Sequence, residues 1–536
     1  MKALVDHVIK RHDQLASFRS PWENLWQDCT DFVNPRRGDF ATQQYRGSRN
    51  RFDKVFDSTA PLANEHLAAG LHGHLTNATE RWFGLRVPGV TPTQSTRDYI
   101  QTVINIMFDE AFNSAATNFT TSIHELYLDL GSYGTGVFYI EDRLGKPIQF
   151  RTFHLADCYV SENADGIVDV LYRKYKLQAR QLLQLYADVL PDKLRELALK
   201  EPLKEFTVIH AVEPNEDYLP RSKRNSNFAF KSCYVLLEEK ILLEESGFNE
   251  FPYMVPRWSK TAGEVYGRSP AMMCLPDIKM VNEMMKTTIR AAQKATDPPL
   301  MVPDDGFMLP LRTIPGGLNY YRSGTQDKIE PLQSGVRPDI GLDFIDSRRE
   351  HIKRTFHVDW LQLQEGPQMT ATEVLQRQED KMRLMGPMVG RLQTEFLGPL
   401  IDRVFNIFSR RNLLPDAPAE LEGVNLAIDY VSPVARAQKA QTIFNFSRLL
   451  EQMMPLANIK PEMFDNIDAD ATLRWAHATL DAPMETLSTP EVVEQLRAQR
   501  AQQQQDMMMA QQAQQGAAAA KDFAQAAQMQ GAPSGA

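Results

Sequence analysis

Residues 263–411 constrain this chain more than any other stretch. A helix-like segment opens at Gly263-Glu-Val-Tyr-Gly-Arg-Ser-Pro270, and 270–295 reads as a helix. Leu275, Ile278, Val281, Met285, Ile289 and Ala292 share one stripe of it, widened by Met273, Met280 and Met284. Asp297-Pro-Pro299 ends that helix, because proline disfavours a helical residue before it. A Pro/Gly-dense insert follows at 297–336, with strand-like pieces at 299–302 and 318–321. A second helix restarts at Arg337-Pro-Asp339 and runs to about Trp360. After the polar loop Leu361–Met369 comes one very long helical pattern ending near Arg411. Thr370-Ala-Thr-Glu373 fits its capping box. Val389, Leu392, Phe396, Leu400, Val404 and Phe408 form one stripe, and Leu397, Ile401 and Phe405 a second, so it is buried on two sides. Pro387 and Pro399, each preceded by glycine, should kink it. Such a layout is odd for an enzyme and suits a subunit that works as part of an assembly.

The region before it alternates helices and strands, an α+β pattern. Periodicity predicts helices over 1–33, 58–75, 97–114, 116–130, 178–188 and 192–199. Ser58 or Thr59 is the expected cap of the second helix, whose small residues (Ala60, Ala63, Ala68, Ala69, Gly70, Gly73) allow a neighbouring backbone to approach. Strands are predicted at 81–87, 137–140, 149–153, 157–161, 167–175, 206–213, 232–237 and 253–258. Gly131-Ser-Tyr-Gly-Thr-Gly136 is read as a turn between helix and strand. Beyond the long helix a strand at 426–431 precedes helices at about 436–454, 460–466, 469–479 and 488–500. The tail from Ala501 is Gln, Ala and Met, either disordered or a helix stabilised beside copies of itself.

Composition narrows the chemistry. Of 536 residues 43% are hydrophobic and 24% charged, ordinary for a globular protein. The 59 basic and 68 acidic residues leave a net charge of −9, which argues against tight grip on nucleic acid by phosphate neutralisation, though not against DNA sliding past. Cys29, Cys158, Cys233 and Cys274 are too scattered for a zinc knuckle or redox pair and read as buried thiols of a reducing compartment. The start lacks a signal-peptide core, and no window approaches the ~20 apolar residues of a membrane span. The glycines at 131, 134 and 136 follow a helix and precede a strand, the reverse of a phosphate loop. His72 and His74, about 200° apart on a helix, cannot share a metal face. With no zinc, hydrolase or phosphate-loop motif, the expectation is a non-enzyme without cofactor or metal. Arg348, Arg349, Lys353 and Arg354 alternate with Asp339, Asp343, Asp346 and Glu350 on one predicted helix. Mixed signs favour ion pairs between neighbouring helices or subunits over a phosphate grip.

Several motifs, in order, resemble the portal or head-to-tail connector proteins of short-tailed bacteriophages. They are Asn77-Ala-Thr-Glu-Arg-Trp-Phe-Gly-Leu-Arg-Val87, Leu130-Gly-Ser-Tyr-Gly-Thr-Gly-Val-Phe-Tyr139 and Phe251-Pro-Tyr-Met-Val-Pro-Arg-Trp258 leading into Gly263–Pro270. Leu275-Pro-Asp-Ile-Lys279, Met369-Thr-Ala-Thr-Glu-Val374 and the Gln/Ala-rich C-terminus complete the set. The resemblance implies a mainly helical α+β subunit of a twelve-membered ring around a DNA channel. It maps 1–265 to a peripheral wing and 266–296 and 337–359 to two stem helices. Residues 297–336 become a clip for the tail adaptor protein and the terminase motor, and 360–370 a tunnel loop. The kinked helix and strand of 371–431 join the wing, 432–500 form a helical crown, and 501–536 form a barrel helix or a disordered tail. Implied partners are other copies of the chain, the major capsid and scaffolding proteins at the wing, and double-stranded DNA bound without sequence preference, with no membrane. Gln362, Gln364, Glu365, Gln368 and Thr370 would face DNA. Leu275, Ile278, Met285, Arg348, Arg349, Glu350, Lys353 and Arg354 would meet neighbouring subunits. The expected place is the capsid vertex of the virion, after assembly in the host cytoplasm. The tunnel loop departs from a gripping role in lacking lysine and arginine. The alternatives are a nucleic-acid-processing enzyme subunit, which would need a carboxylate cluster or phosphate loop, or another phage scaffold or tail protein.

Overall fold

The computed structural model describes residues 2–38, 51–78, 80–88, 93–142, 145–219, 227–296, 339–361, 386–421 and 427–430, the two-residue strands at 300–301 and 330–331, and, beyond 433, residues 446–453, 467–479 and 492–505 with a few shorter stretches. The chain divides into two compact units, Met1–Pro433 and Val434–Ala536.

The first unit is a mainly helical α+β body. It opens with α1 (Lys2–Phe32), α2 (Thr59–Leu75), β1 (Phe83–Arg86), α3 (Gln94–Met107) and α4 (Phe119–Tyr133). Then come β2 (Val137–Glu141), β3 (Gln149–Phe153), β4 (Cys158–Glu162), β5 (Val168–Gln178), α5 (Ala179–Tyr186) and α6 (Asp192–Lys200). β6 (Glu205–Pro214), β7 (Phe230–Leu236), β8 (Ile241–Phe248) and β9 (Tyr253–Met254) lead to α7 (Pro270–Thr296). After β10 (Leu300–Met301) and β11 (Glu330–Pro331) come α8 (Asp339–Thr355) and α9 (Val358–Leu361). α10 (Gly386–Leu392), α11 (Gly398–Arg410) and β12 (Ala427–Tyr430) complete the unit.

β4 to β8 form an antiparallel meander in sequence order. Alternation sorts its side chains: Ile209, Ala211, Cys233 and Val235 face Val5, Val8 and Leu15 of α1. Phe206, Val208 and Leu236 cluster instead with Leu182 of α5 and Leu194 of α6. Arg19 ties α1 to the sheet; its guanidinium, 1% exposed, donates to the carbonyls of Leu155, Ala156 and Cys158 at 2.8–3.1 Å. β2, the middle strand of β3-β2-β9, is buried on both faces as its apolar run demands. β1 pairs with β12 across most of the unit, Phe83 opposite Tyr430.

Several expectations shift. The helix-like segment at 263 is a turn with Gly263 at φ +86°, and the helix begins at Pro270. Gly131 is not in the turn: α4 runs through it to Tyr133, and a Cβ there would land on Asn64 of α2. The small residue that lets the two helices approach here is thus on α4, where a Cβ would meet Asn64 and Leu67 of α2, while one on Gly73 of α2 would meet nothing within 4 Å. The predicted helix 97–114 ends as a wide turn over Phe108–Phe112, where Asn113 N bonds the Phe108 carbonyl five residues back. α2 is capped not by the Ser58 side chain but by Asp57, whose Oδ1 accepts from Thr59 N at 2.9 Å. β8 has no counterpart in the predicted strands. The helix predicted to reach Trp360 breaks after Thr355, with His357 at φ +56°. The predicted helix from Thr370 is described only from Gly386, the insert only at its base strands, and the tunnel loop from Gln362 lies outside the described residues.

In the second unit α12 (Ala469–Thr479) matches the predicted helix, and Asp470 and Arg497 form a two-pronged ion pair at 2.7 Å. Residues 501–505 and 507–509 of the tail are helical; 510–536 lie outside the described residues.

Candidate functional site: the paired helices and their root

α7 begins at a joint of three backbone segments. Gly134, at φ +72°, terminates α4 by bonding the Leu130 carbonyl, and a Cβ on it would meet Gly267 O and Ser269 N at 2.6 Å. This close approach, not anion binding, is why glycine stands there. Trp258 N donates to Gly134 O at 2.8 Å, Gly136 N to Pro256 O at 3.1 Å, and Gly267 N to Thr135 Oγ1 at 2.8 Å. Ser269 then caps α7: its Oγ accepts from Met272 N at 3.0 Å and donates to Ser132 O at 2.8 Å, with Pro270 as first helical residue.

α7 and α8 pack side by side, with the β10–β11 pair at the base of the insert between them. The first half of α7 lies in the unit's own core, with Leu275, Ile278 and Val281 buried. Ile345 and Ile352 of α8 and Phe356 just past its end are buried with them, and Met285 is half-buried at the edge. Leu275 and Ile278 are therefore committed within the chain. Among the described residues, Met273, Ile289 and Phe344 are the large exposed apolar side chains of the pair.

Arg348, Arg349, Glu350 and Lys353 of α8 have partners in the same chain. Arg349 donates to Asp57 Oδ2 at 2.7 and 2.9 Å and to Asp346 at 2.9 Å. The hydrogen bonds from Thr59 and Arg349 hold the Asp57 carboxyl below its ordinary range, against the opposite push of burial. Arg348 and His351 both reach Asp277 of α7, at 3.5 and 3.0 Å. Glu350 and Lys353 pair one turn apart at 2.8 Å, and Arg354 is exposed. Asn282 seals the same joint, its Oδ1 accepting from Phe56 N at 2.7 Å and its Nδ2 donating to Lys54 O at 3.0 Å.

Behind this root sits a group the sequence did not flag. Arg257, 2% exposed, donates to both carboxylate oxygens of Glu395, to Glu162 at 2.8 Å and to Gly166 O at 2.8 Å. Lys260 joins Glu162 at 2.6 Å. The hydrogen bonds from Lys260 and Arg257 hold the Glu162 carboxyl low although burial opposes them. Nothing in the local pattern marks Arg257 as buried, although it stands within the 251–258 segment that carries part of the resemblance. All four cysteines are buried, and desolvation pushes every thiol up, Cys233 to about 11 and Cys274 to about 12. Among the described residues no group of three His, Cys, Asp or Glu could hold a metal ion, and no helix is long and apolar enough to cross a membrane.

Sequence relatives place the chain as a whole. Residues 5–487 match the bacteriophage head to tail connecting protein family. The chain belongs to that family. A probable portal protein of Bordetella phage BPP-1 is 31% identical over 509 residues, covering 92% of this chain and 90% of the relative. The portal protein of Salmonella phage epsilon15 is 30% identical over 515 residues, covering 93% and 91%.

Proposed function

We propose that this chain is a portal subunit. Twelve copies close into a ring at one capsid vertex, and the opening conducts viral DNA during packaging and ejection. The family match over nearly the whole chain carries this reading. α7 and α8 form the stem, and the insert 297–336 is the clip that receives the tail adaptor and the packaging motor. The N-terminal body 1–265 is the wing toward capsid and scaffolding proteins, and 432–500 is the crown. The protein is a virion component, structural rather than catalytic.

Contacts between subunits use what the hairpin leaves uncovered. Met273, Ile289 and Phe344 supply apolar surface, with Met285 at the edge, and Glu350, Lys353 and Arg354 supply charge. Leu275, Ile278, Arg348 and Arg349 act from behind, keeping the stem fixed to its own body.

The loop 360–370 is proposed to touch DNA. Duplex DNA carries one charge per ~1.7 Å, so a basic constriction would hold it. Gln362, Gln364, Gln368 and Thr370 offer hydrogen bonds with only Glu365 charged, which favours sliding contacts to backbone and shape. Deleting 361–368 tests this. Rings should form normally while DNA retention in an in vitro packaging assay falls at least tenfold. Normal packaging by the deletion variant would refute the assignment of the loop, and loss of rings would refute the mapping.

A further inference from the structure

The helix of residues 386–410 contains a defect. Residues 393–397 form one wide turn, in which Gly398 N bonds the Gln393 carbonyl five residues back instead of four. Pro399 explains part of it, since it has no amide hydrogen and its ring crowds the preceding turn. Glu395 lies at the centre. Arg257 approaches its carboxylate with backbone N at 2.9 Å, Nε at 3.1 Å and the second terminal nitrogen at 2.8 Å; Arg391 stands 3.4 Å away. Arg257 is itself fixed by Glu162, Gly166 O and Val265 O, all within the first unit's body. A cleft of about 1320 Å³ opens beside the clasp, lined by Arg257 and Glu395 together with Arg391, Thr394, Pro399 and Asp402.

A wide turn is one residue more than an α-helix needs. If it relaxes to ordinary pitch, everything upstream rotates by about 100°. We propose that Arg257 and Glu395 form a clasp holding this helix in its wide-turn register. Opening the clasp frees the half before residue 393 to rotate, while the half after 398 stays seated. Leu392 and Leu400, both fully buried, lie on either side of the turn and respond differently. Rotation carries Leu392 out of the core and leaves Leu400 in it. On the mapping proposed above, the upstream half leads back to the 360–370 loop, so the clasp links that loop to the root of α7. That last step rests on the portal reading; the clasp does not.

The test uses the full chain, whose native cysteines are all buried. Leu392→Cys and Leu400→Cys are each combined with Glu395→Gln, and N-ethylmaleimide labelling is followed by mass spectrometry. Opening the clasp should speed labelling at 392 at least tenfold and leave 400 protected. Equal labelling at both sites would mean general loosening and would overturn the proposal, as would unchanged protection at 392. Should Glu395→Gln not fold, Glu395→Asp, which keeps the charge on a shorter arm, is read by the same two sites. A ring that forms normally with an open clasp separates this result from the portal reading.

Discussion

Gly134 and Gly145 isolate what a single position contributes. Both have φ near +73°, yet a Cβ at 145 meets nothing within 4 Å, whereas at 134 it strikes the backbone of 267–269. Gly145→Ala should cost about 1–2 kcal/mol of backbone strain. Gly134→Ala should cost more than about 4 kcal/mol or prevent folding, because the start of α7 must move. Thermal unfolding of the two variants checks the contrast. His210 sets a pH dependence. It stacks on Tyr234 at 4.0 Å, with its Nδ1 2.8 Å from Tyr253 OH and its Nε2 3.0 Å from Ser232 Oγ, both hydroxyls able to serve the neutral ring. Burial, aided by Arg173, pushes it down to about 3. The unfolded ring titrates near 6.5, so the stabilisation is complete above that pH and is lost progressively as pH falls toward 3. Between pH 7 and pH 5 this site should cost about 2 kcal/mol. Urea unfolding of His210→Gln at the two pH values should show a fall smaller by that amount.

At the scale of elements, most of the first unit was legible because period and punctuation agreed. β3 and α12 match their predicted bounds, and α7 follows its apolar stripe. β8 was invisible for a physical reason. Leu236-Leu-Glu-Glu-Lys-Ile-Leu-Leu-Glu-Glu245 has paired rather than alternating character, and its turn uses Lys240 at φ +50° with no glycine to announce it. The wide turns at 108–112 and 393–397 were read as continuous helix, since one extra residue barely disturbs a stripe. Of the site, the sequence picked out Leu275, Ile278 and the α8 charges but assigned them to subunit contacts; Leu275 and Ile278 are buried within the chain, and Arg349 and Arg348 pair with Asp57 and Asp277. Those contacts span up to 292 residues, a distance no local pattern records. The burial difference gives a prediction. Leu275→Ala should lower the stability of the body by about 2–5 kcal/mol. Ile289→Asp should change it by less than about 0.5 kcal/mol and instead weaken self-association. Thermal unfolding beside analytical ultracentrifugation distinguishes the two effects.

For the whole molecule, the proposed ring gives the net charge of −9 and the α7–α8 hairpin a shared use. In that reading, copies set side by side around an axis make an opening through which a polyanion slides without a strongly basic surface to hold it. Electron microscopy of the purified protein addresses that claim most directly. The account predicts closed rings with an axial hole wide enough for duplex DNA. Particles that remain single subunits at every concentration and salt tested, or assemblies with no hole on the axis, would contradict it.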